Sequence, residues 1–426
     1  MLHDREGRLT MVATSSFDTS TLPIDDEVML WLSPGDPRRA SLAVSPFDFF
    51  ERLRRHDPVY ETLDGRWLIS GYAESRTLLA NRSGLSHGNM VAPEDQELAH
   101  RIFMNSMLFQ DPPLHTRLRR VVAPAFSPRA IDRLRESVAT YAHELLEPLR
   151  DVDNFDFLEG PAFRLPVLVM ADLLGVPAED FEQFRVWPET LLYLDEHPHP
   201  SPETMSRFNQ IAQEALDYFN SVIEERRRNP GEDIISVLLE AETSEAALSA
   251  EEIVAMCVIL HIGGHTTTNS LLASGILDMM KNPDTFGILK RDPSLIALAT
   301  EEMFRCDAPV GVTVARSATT DIEVEGKTIP EGAVVHAILG AANRDPRQFH
   351  DAQRFDIRRD PNDHIAFAGG NHICIGAHLA RVEVQEFLRV LVTEFPALQL
   401  ARTEEDLVWL DSYIHRSVVS LPVAWV

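Results

Sequence analysis

Apolar residues recur at three- and four-residue spacing over most of this chain, and alternation is confined to short stretches. That pattern predicts a mainly α protein with smaller β-sheets. The longest periodic stretch runs from Ser249 to Lys281. Ser249 with Glu252 forms a capping box at its start, and a helix of about 30 residues there spans roughly 45 Å. Pro46 to Arg54 reads as an amphipathic helix, and Val59 to Gly71 alternates like a strand pair in which Trp67 packs. Pro112 and Pro113 set a helix start, and Ala130 to Arg228 is helical almost throughout, with loops near Gly175 and from Asp195 to Pro202. Ala299 to Arg305 continues helical, Val310 to Val314 reads as a strand, and strand signals run on from Ile322 to Val335. After Gly376 the spacing of Ala377, Leu379, Ala380, Val384, Phe387, Leu388 and Leu391 is helical again, and the C-terminal stretch Ser412 to Trp425 ends in strands.

Two segments break the pattern locally. Gly263-Gly264-His265-Thr266-Thr267-Thr268 puts paired glycines and clustered threonines in mid-helix, where both are poor formers. The glycines leave room for a flat ligand, and the hydroxyls can hold water. The second segment, His364 to Glu383, carries Cys374 in a glycine-rich approach at the mouth of a helix. Orphan N–H groups and the helix dipole favour a thiolate there. His115 and Arg119 fall at i and i+4 on one helical face and suit an anionic group, whereas Arg117 and Arg120 read as a solvated basic face. His197 and His199, between prolines with no third ligand, read as a polar turn.

Composition narrows the classes. A chain of 426 residues, 44% hydrophobic, can bury a sizeable core, and it shows no repeat or linker. Residues up to about Asp25 are polar and read as a loosely ordered extension before a single domain of residues 26–426. Sixty-six acidic against 39 basic residues give a net charge of −27, which argues against nucleic acid. No apolar run is long enough for a membrane span, no signal core precedes the domain, and three scattered cysteines offer no disulfide framework. A cytoplasmic protein is expected.

The stretch FAGGNHICIG matches F-x-x-G-x-[HR]-x-C-x-G, so the chain resembles the haem-thiolate monooxygenases, the cytochrome P450 family. The resemblance covers nearly everything from Pro46 onward and implies that family's fold, with the long helix crossing the molecule and the cysteine loop leading into a helix under haem b (iron protoporphyrin IX). It implies Cys374 as axial iron ligand, with Phe367, Gly370, Gly376 and Gly264 beside the cofactor. His115, Arg119, Arg316 and His372 would hold propionates, and Glu302 with Arg305, matching E-x-x-R, would lock the cysteine loop. The substrate pocket would draw on Met90, Met107, Phe109, Ile259, Val310, Val312 and Ile414. The partners implied are a ferredoxin or flavoprotein electron donor and an apolar small molecule, free or tethered to a carrier protein.

The oxygen-activation segment, [AG]-G-x-[DE]-T-T in the family, aligns Thr267 with the oxygen-handling threonine and puts Thr266 where the acid belongs. A threonine cannot relay protons as a carboxylate does. Delivery would then run through water on Thr267, through His265, or through the substrate. Oxygen insertion by another proton route, poor coupling with peroxide release, and a non-hydroxylating oxidation such as coupling or desaturation are all open. So is a haem sensor or carrier without turnover. A peroxide-driven oxygenase wants an acid near the iron, and the sequence offers none.

Overall fold

The structure, a computed structural model, describes residues 11–12, 17–81, 83–87, 98–180, 187, 194, 196, 200–242 and 248–426. It is mainly helical with small sheets, as the periodicity predicts. The helices used below are, in chain order, α1 (Tyr72–Ala80), α2 (Leu114–Val122), α3 (Arg135–Leu146), α4 (Phe163–Leu174), α5 (Pro202–Arg228), α6 (Ala250–Lys281), α7 (Ile296–Cys306) and α8 (Ala377–Glu394). The strands are β1 (Val59–Glu61), β2 (Trp67–Ile69), β3 (Arg316–Ala318) and β4 (Val334–Ala337). By internal contacts the chain forms two compact units.

The first unit comprises Met1–Leu85, Arg135–Leu165 and Thr267–Val426. In its larger sheet β1 pairs antiparallel with β2, β2 parallel with β4, and β3 antiparallel with β4. Trp67, Ile69, Leu79 and Val335 bury their side chains in one apolar cluster around it. On the helical side, α8 packs along α3 and against α7. Its apolar face, including Leu379, Val382, Phe387 and Leu391, is fully covered. Burial of side chains of this size is worth about 1.5–3 kcal/mol each, so α8 is held by packing along its length.

The second unit comprises Ser86–Leu134 and Pro166–Thr266. In it α5 packs against Leu98–Met104 and Ile234–Glu242, and the latter packs against α2.

The central helix α6 is one unbroken run of 32 residues, about 48 Å at 1.5 Å per residue. The capping box forms: the Ser249 N–H donates to Glu252 Oε2 at 2.8 Å, and the Glu252 N–H to Ser249 Oγ at 3.2 Å. Its glycines and threonines therefore do not break it. What they change is exposure. The helix is buried from Ile253 to Ile262 and from Ser270 to Leu277, but Gly263 is exposed and Gly264, Thr266, Thr267 and Asn269 are partly so.

Elsewhere the boundaries shift. The first amphipathic helix runs Phe47–His56, and the helix after Pro113 stops at Val122, just short of Pro124. The stretch read as helical from Ala130 includes a short strand, Phe155–Asp156. Val310 to Val314 is not a strand. Val310 makes only an isolated bridge to His415, while the Gly311 N–H donates to Ile414 O and the Thr313 N–H to Ala337 O, so no ladder develops before Arg316. The Asp195–Pro202 loop, with His197 and His199, lies largely outside the described residues, as does Met90. Among the described residues no helix is long and apolar enough to cross a membrane.

Candidate active site

Three cysteines compete for the role of thiolate, and burial separates them. Cys257 and Cys306 are buried, and burial pushes both thiols up. Cys374 alone is exposed. Its N–H donates to Phe367 O at 3.1 Å, which closes the loop, and Gly376 is the residue at which α8 begins. Because α8 is anchored through its apolar face, the position of Cys374 is set from the helix side.

The other side of the loop is held by α7. Glu302 and Arg305 are wholly buried and joined through two contacts of 2.8 Å. Arg305 also donates to the carbonyls of Asn343, Ala352 and Arg354. Glu302 accepts from the Asp356 N–H at 2.8 Å, from Arg359 and from Asn362. The pair thus ties α7 to residues 343–362, the chain that delivers the cysteine loop.

A second clamp was not visible in the sequence. Glu301 accepts from Arg381 of α8 at 2.7 and 2.8 Å and contacts His364 Nε2 at 3.0 Å. Burial alone would raise its pKa, but the hydrogen bonds from His364 and Arg381 outweigh burial and hold Glu301 at about 2. Arg381 lies over the Phe367 ring at 4.6 Å, and Phe367 packs on Phe304 with ring centroids 4.6 Å apart. Phe367 is therefore fixed by α7 and α8 at once. In sequence the only hints are nearness to motif residues: Glu301 is adjacent to Glu302, and Arg381 lies seven residues past Cys374.

Gly370 has a different reason from the flat neighbour expected of it. Its φ is +67°, and a Cβ there would lie 2.1 Å from the carbonyl oxygen of Leu79. The missing side chain makes room for the backbone of α1. Gly370→Ala combines left-handed strain of about 1–3 kcal/mol with that collision, and is expected to lower the melting temperature and the haem bound per chain. Gly376→Ala, at φ −81° and 3.9 Å from Cys374 Sγ, is expected to do so far less.

Gly264 is likewise corrected. A Cβ on it would meet Met170 Sδ at 2.3 Å, so it permits α4 to approach α6. The clearance belongs to Gly263, where nothing among the described residues lies within 4 Å of an added Cβ. Gly263 and Thr267, four apart, share a face of the helix. His265 does not share it: two residues are about 200° around the axis. The His265 ring packs on His261 at 5.1 Å, with Nδ1 3.3 Å from His261 O. His265 and Thr267 therefore lie on different faces of α6.

His115 is buried on α2 and Arg119 is partly buried one turn on. Arg117 is not merely solvated, since it pairs with Glu252 of the capping box. Arg316 is buried on β3, and His372 is partly buried in the turn Gly370–His372. Of the pocket candidates, the first unit brings Val310 and Val312 beside Ile414 through the Gly311 and Val312 N–H groups. In the second unit Met107, Phe109 and Ile259 are buried, with Phe109 against His87.

The family model described as Cytochrome P450 matches residues 181–291 and 295–407. The biotin biosynthesis cytochrome P450 of Bacillus subtilis (strain 168) is 34% identical over 367 residues, 84% of this chain and 91% of the relative. Cytochrome P450 monooxygenase PikC of Streptomyces venezuelae is 34% identical over 391 residues, covering 90% and 92%. Among solved structures, P450BioI in complex with hexadec-9Z-enoic acid ligated acyl carrier protein superposes with a TM-score of 0.84 at 32% identity, covering 91% of this chain and 99% of that one.

These matches put the chain among the haem-thiolate monooxygenases. The chain belongs to the cytochrome P450 family, and its cofactor is haem b.

Proposed function

We propose that this monooxygenase inserts one atom of O2 into an apolar small molecule of secondary metabolism, drawing electrons from a ferredoxin-type donor. The observation that carries the reading is Cys374, the one exposed thiol, on a loop pinned by Glu302–Arg305 on one side and by α8 on the other.

The residues fit the cofactor. Cys374 offers a soft thiolate, the donor class that iron takes in this setting. Gly263 leaves a clear space where any larger residue would project a side chain. His115, Arg119, Arg316 and His372 are the hydrogen-bond donors that would hold two propionates in this reading. Haem iron bound through a thiolate activates O2 for cleavage of the O–O bond. The chain does the rest. Glu302 and Arg305 keep the cysteine loop from relaxing, and Thr267 holds water and a proton at its hydroxyl on the open face of α6. Met107, Phe109 and Ile259 in the second unit and Val312 and Ile414 in the first are each buried, and in this reading protons arrive by bonded donors.

Thr267→Ala tests the proton role. Electrons are expected to shift from product to hydrogen peroxide about tenfold, less than the roughly 10²–10⁴-fold that a positioned proton donor contributes, because water can stand in. Unchanged coupling would place the route elsewhere.

A carrier-tethered substrate is favoured by one observation, the likeness to P450BioI in complex with a ligated acyl carrier protein. A ferric spin-state titration with hexadec-9Z-enoic acid, free and then as its carrier-protein thioester, separates the cases. A shift with the free acid points to a free substrate, and a shift only with the thioester makes a carrier protein the partner.

A further inference from the structure

Thr267, Ser270, Ser274 and Asp278 follow at spacings of three, four and four residues along α6, which places them on one face of the helix. Around them the helix is core: Leu271, Leu272, Ala273, Ile276, Leu277 and Met279 are buried. Core packing does not call for hydroxyls in such a setting. Ser274 is wholly buried, and its Oγ has no hydrogen-bond partner among the described residues. The same is true of Asp278 Oδ2. Bare buried oxygens are ordinarily met by water, and each one in a native protein needs an explanation.

The far end of this face meets charge. Asp307, Arg344, Lys281 and Arg416 all bear on Asp278. Asp307 is itself bonded to Arg416 at 2.8 Å. Asp307, Arg416 and His415 line a cavity of about 30 Å³, room enough for water. Both ring nitrogens of His415 also lack a partner among the described residues. Burial, followed by the charge of Asp307, pushes the Asp278 carboxyl up to about 7, against the pull of Arg344, Lys281 and Arg416. Asp278 as a residue is only partly buried, which puts the outer end of the face near the surface.

We infer that the face from Thr267 to Asp278 is a proton path of hydroxyls and water, with Asp278 as the acid at its outer end. It stands in for the carboxyl that the family pattern puts at position 266, where this chain has Thr266. The inference rests on the reading that Thr267 handles oxygen. The eleven steps from Thr267 to Asp278 span about 16.5 Å, so waters bridge the side chains. Asp278 releases its proton to its neighbour, each member gives up a proton as it accepts one, and the Thr267 hydroxyl delivers at the inner end. Asp278 is then reprotonated from solvent. Two passages, with two electrons from the external donor, convert one atom of O2 to water while the other enters the substrate C–H bond as an alcohol.

The first test needs no turnover. Infrared difference spectra of the ferric holoprotein on either side of pH 7 should show a protonated carboxyl that titrates near pH 7 and is missing in Asp278→Asn. The second uses a ferredoxin, its reductase, NADPH and hexadec-9Z-enoic acid as probe. Hydrogen peroxide per NADPH is expected to rise about fivefold in both Ser274→Ala and Asp278→Asn, a modest share of what proton delivery contributes. In the parent enzyme peroxide should rise with pH through 7, as Asp278 loses its proton. In Asp278→Asn that dependence should vanish, and in Asp278→Glu it should return. A band that survives in Asp278→Asn, or coupling unchanged in both variants, overturns the path. A matching effect in Glu383→Gln alone would also overturn it, placing the source at the bare buried carboxyl of α8. The reduced carbon monoxide spectrum keeps the two readings apart. A parent protein without a thiolate-type band would defeat the haem-thiolate reading itself, whereas a normal band with unchanged coupling defeats only the path.

Discussion

Replacing Cys374 by alanine is expected to abolish both product formation and the thiolate-type band of the reduced carbon monoxide complex, while leaving the fold in place. The loss should be complete because no other thiol can substitute. Cys257 and Cys306 are buried, and burial keeps them protonated. The fold should survive because Cys374 is exposed, and exposed substitutions usually move stability by no more than about 0.5 kcal/mol. Denaturation of the apoprotein checks the second half of the statement and the spectrum checks the first. A thiolate-type band surviving in the alanine variant would show that another residue binds the iron.

The second large effect is expected from Glu302→Gln. Arg305 is wholly buried, and removing its partner leaves an uncompensated interior charge, a change that costs about 3–5 kcal/mol. The Asp356, Arg359 and Asn362 hydrogen bonds to the same carboxylate weaken with it. Denaturant midpoint and haem retention should therefore fall together, since the region that loosens is the one delivering Cys374. Arg55→Ala is the control. Arg55 pairs with Glu51 at i,i+4 but is mostly exposed, and such pairs are worth about 0.3–0.5 kcal/mol. Equal effects from the two variants would mean that burial of the Glu302–Arg305 pair has been misjudged.

What could be read from residues alone followed the range of each interaction. The helix α6 was legible because its capping box and apolar spacing are local, and it spans nearly the residues that the spacing predicts. The strand pair β1–β2 was legible for the same reason. Glu302 and Arg305 form a weak motif by spacing, and it is their burial with three carbonyls from residues 343–354 that gives them weight. The Glu301–Arg381–His364 clamp joins residues up to 80 positions apart, and no local pattern announces it. The exchange of Gly264 for Gly263 as the open position depends on which side Met170 approaches from, a tertiary fact. That His265 lies across the axis from Thr267 follows from the helical period alone. The segment Val310–Val314 has strand residues but no ladder, because its N–H groups go to Ile414 and Ala337 instead.

The central claim is insertion of oxygen by the Cys374 site, and isotope incorporation tests it most directly. Holoenzyme, ferredoxin, reductase and NADPH would be incubated under ¹⁸O₂ with hexadec-9Z-enoic acid, free and bound to its carrier protein, and the products weighed by mass spectrometry. The account predicts a product carrying one ¹⁸O atom, formed by the parent enzyme and not by Cys374→Ala. A desaturated or coupled product without label, or a spectral response with no product from either form of the substrate, would contradict it.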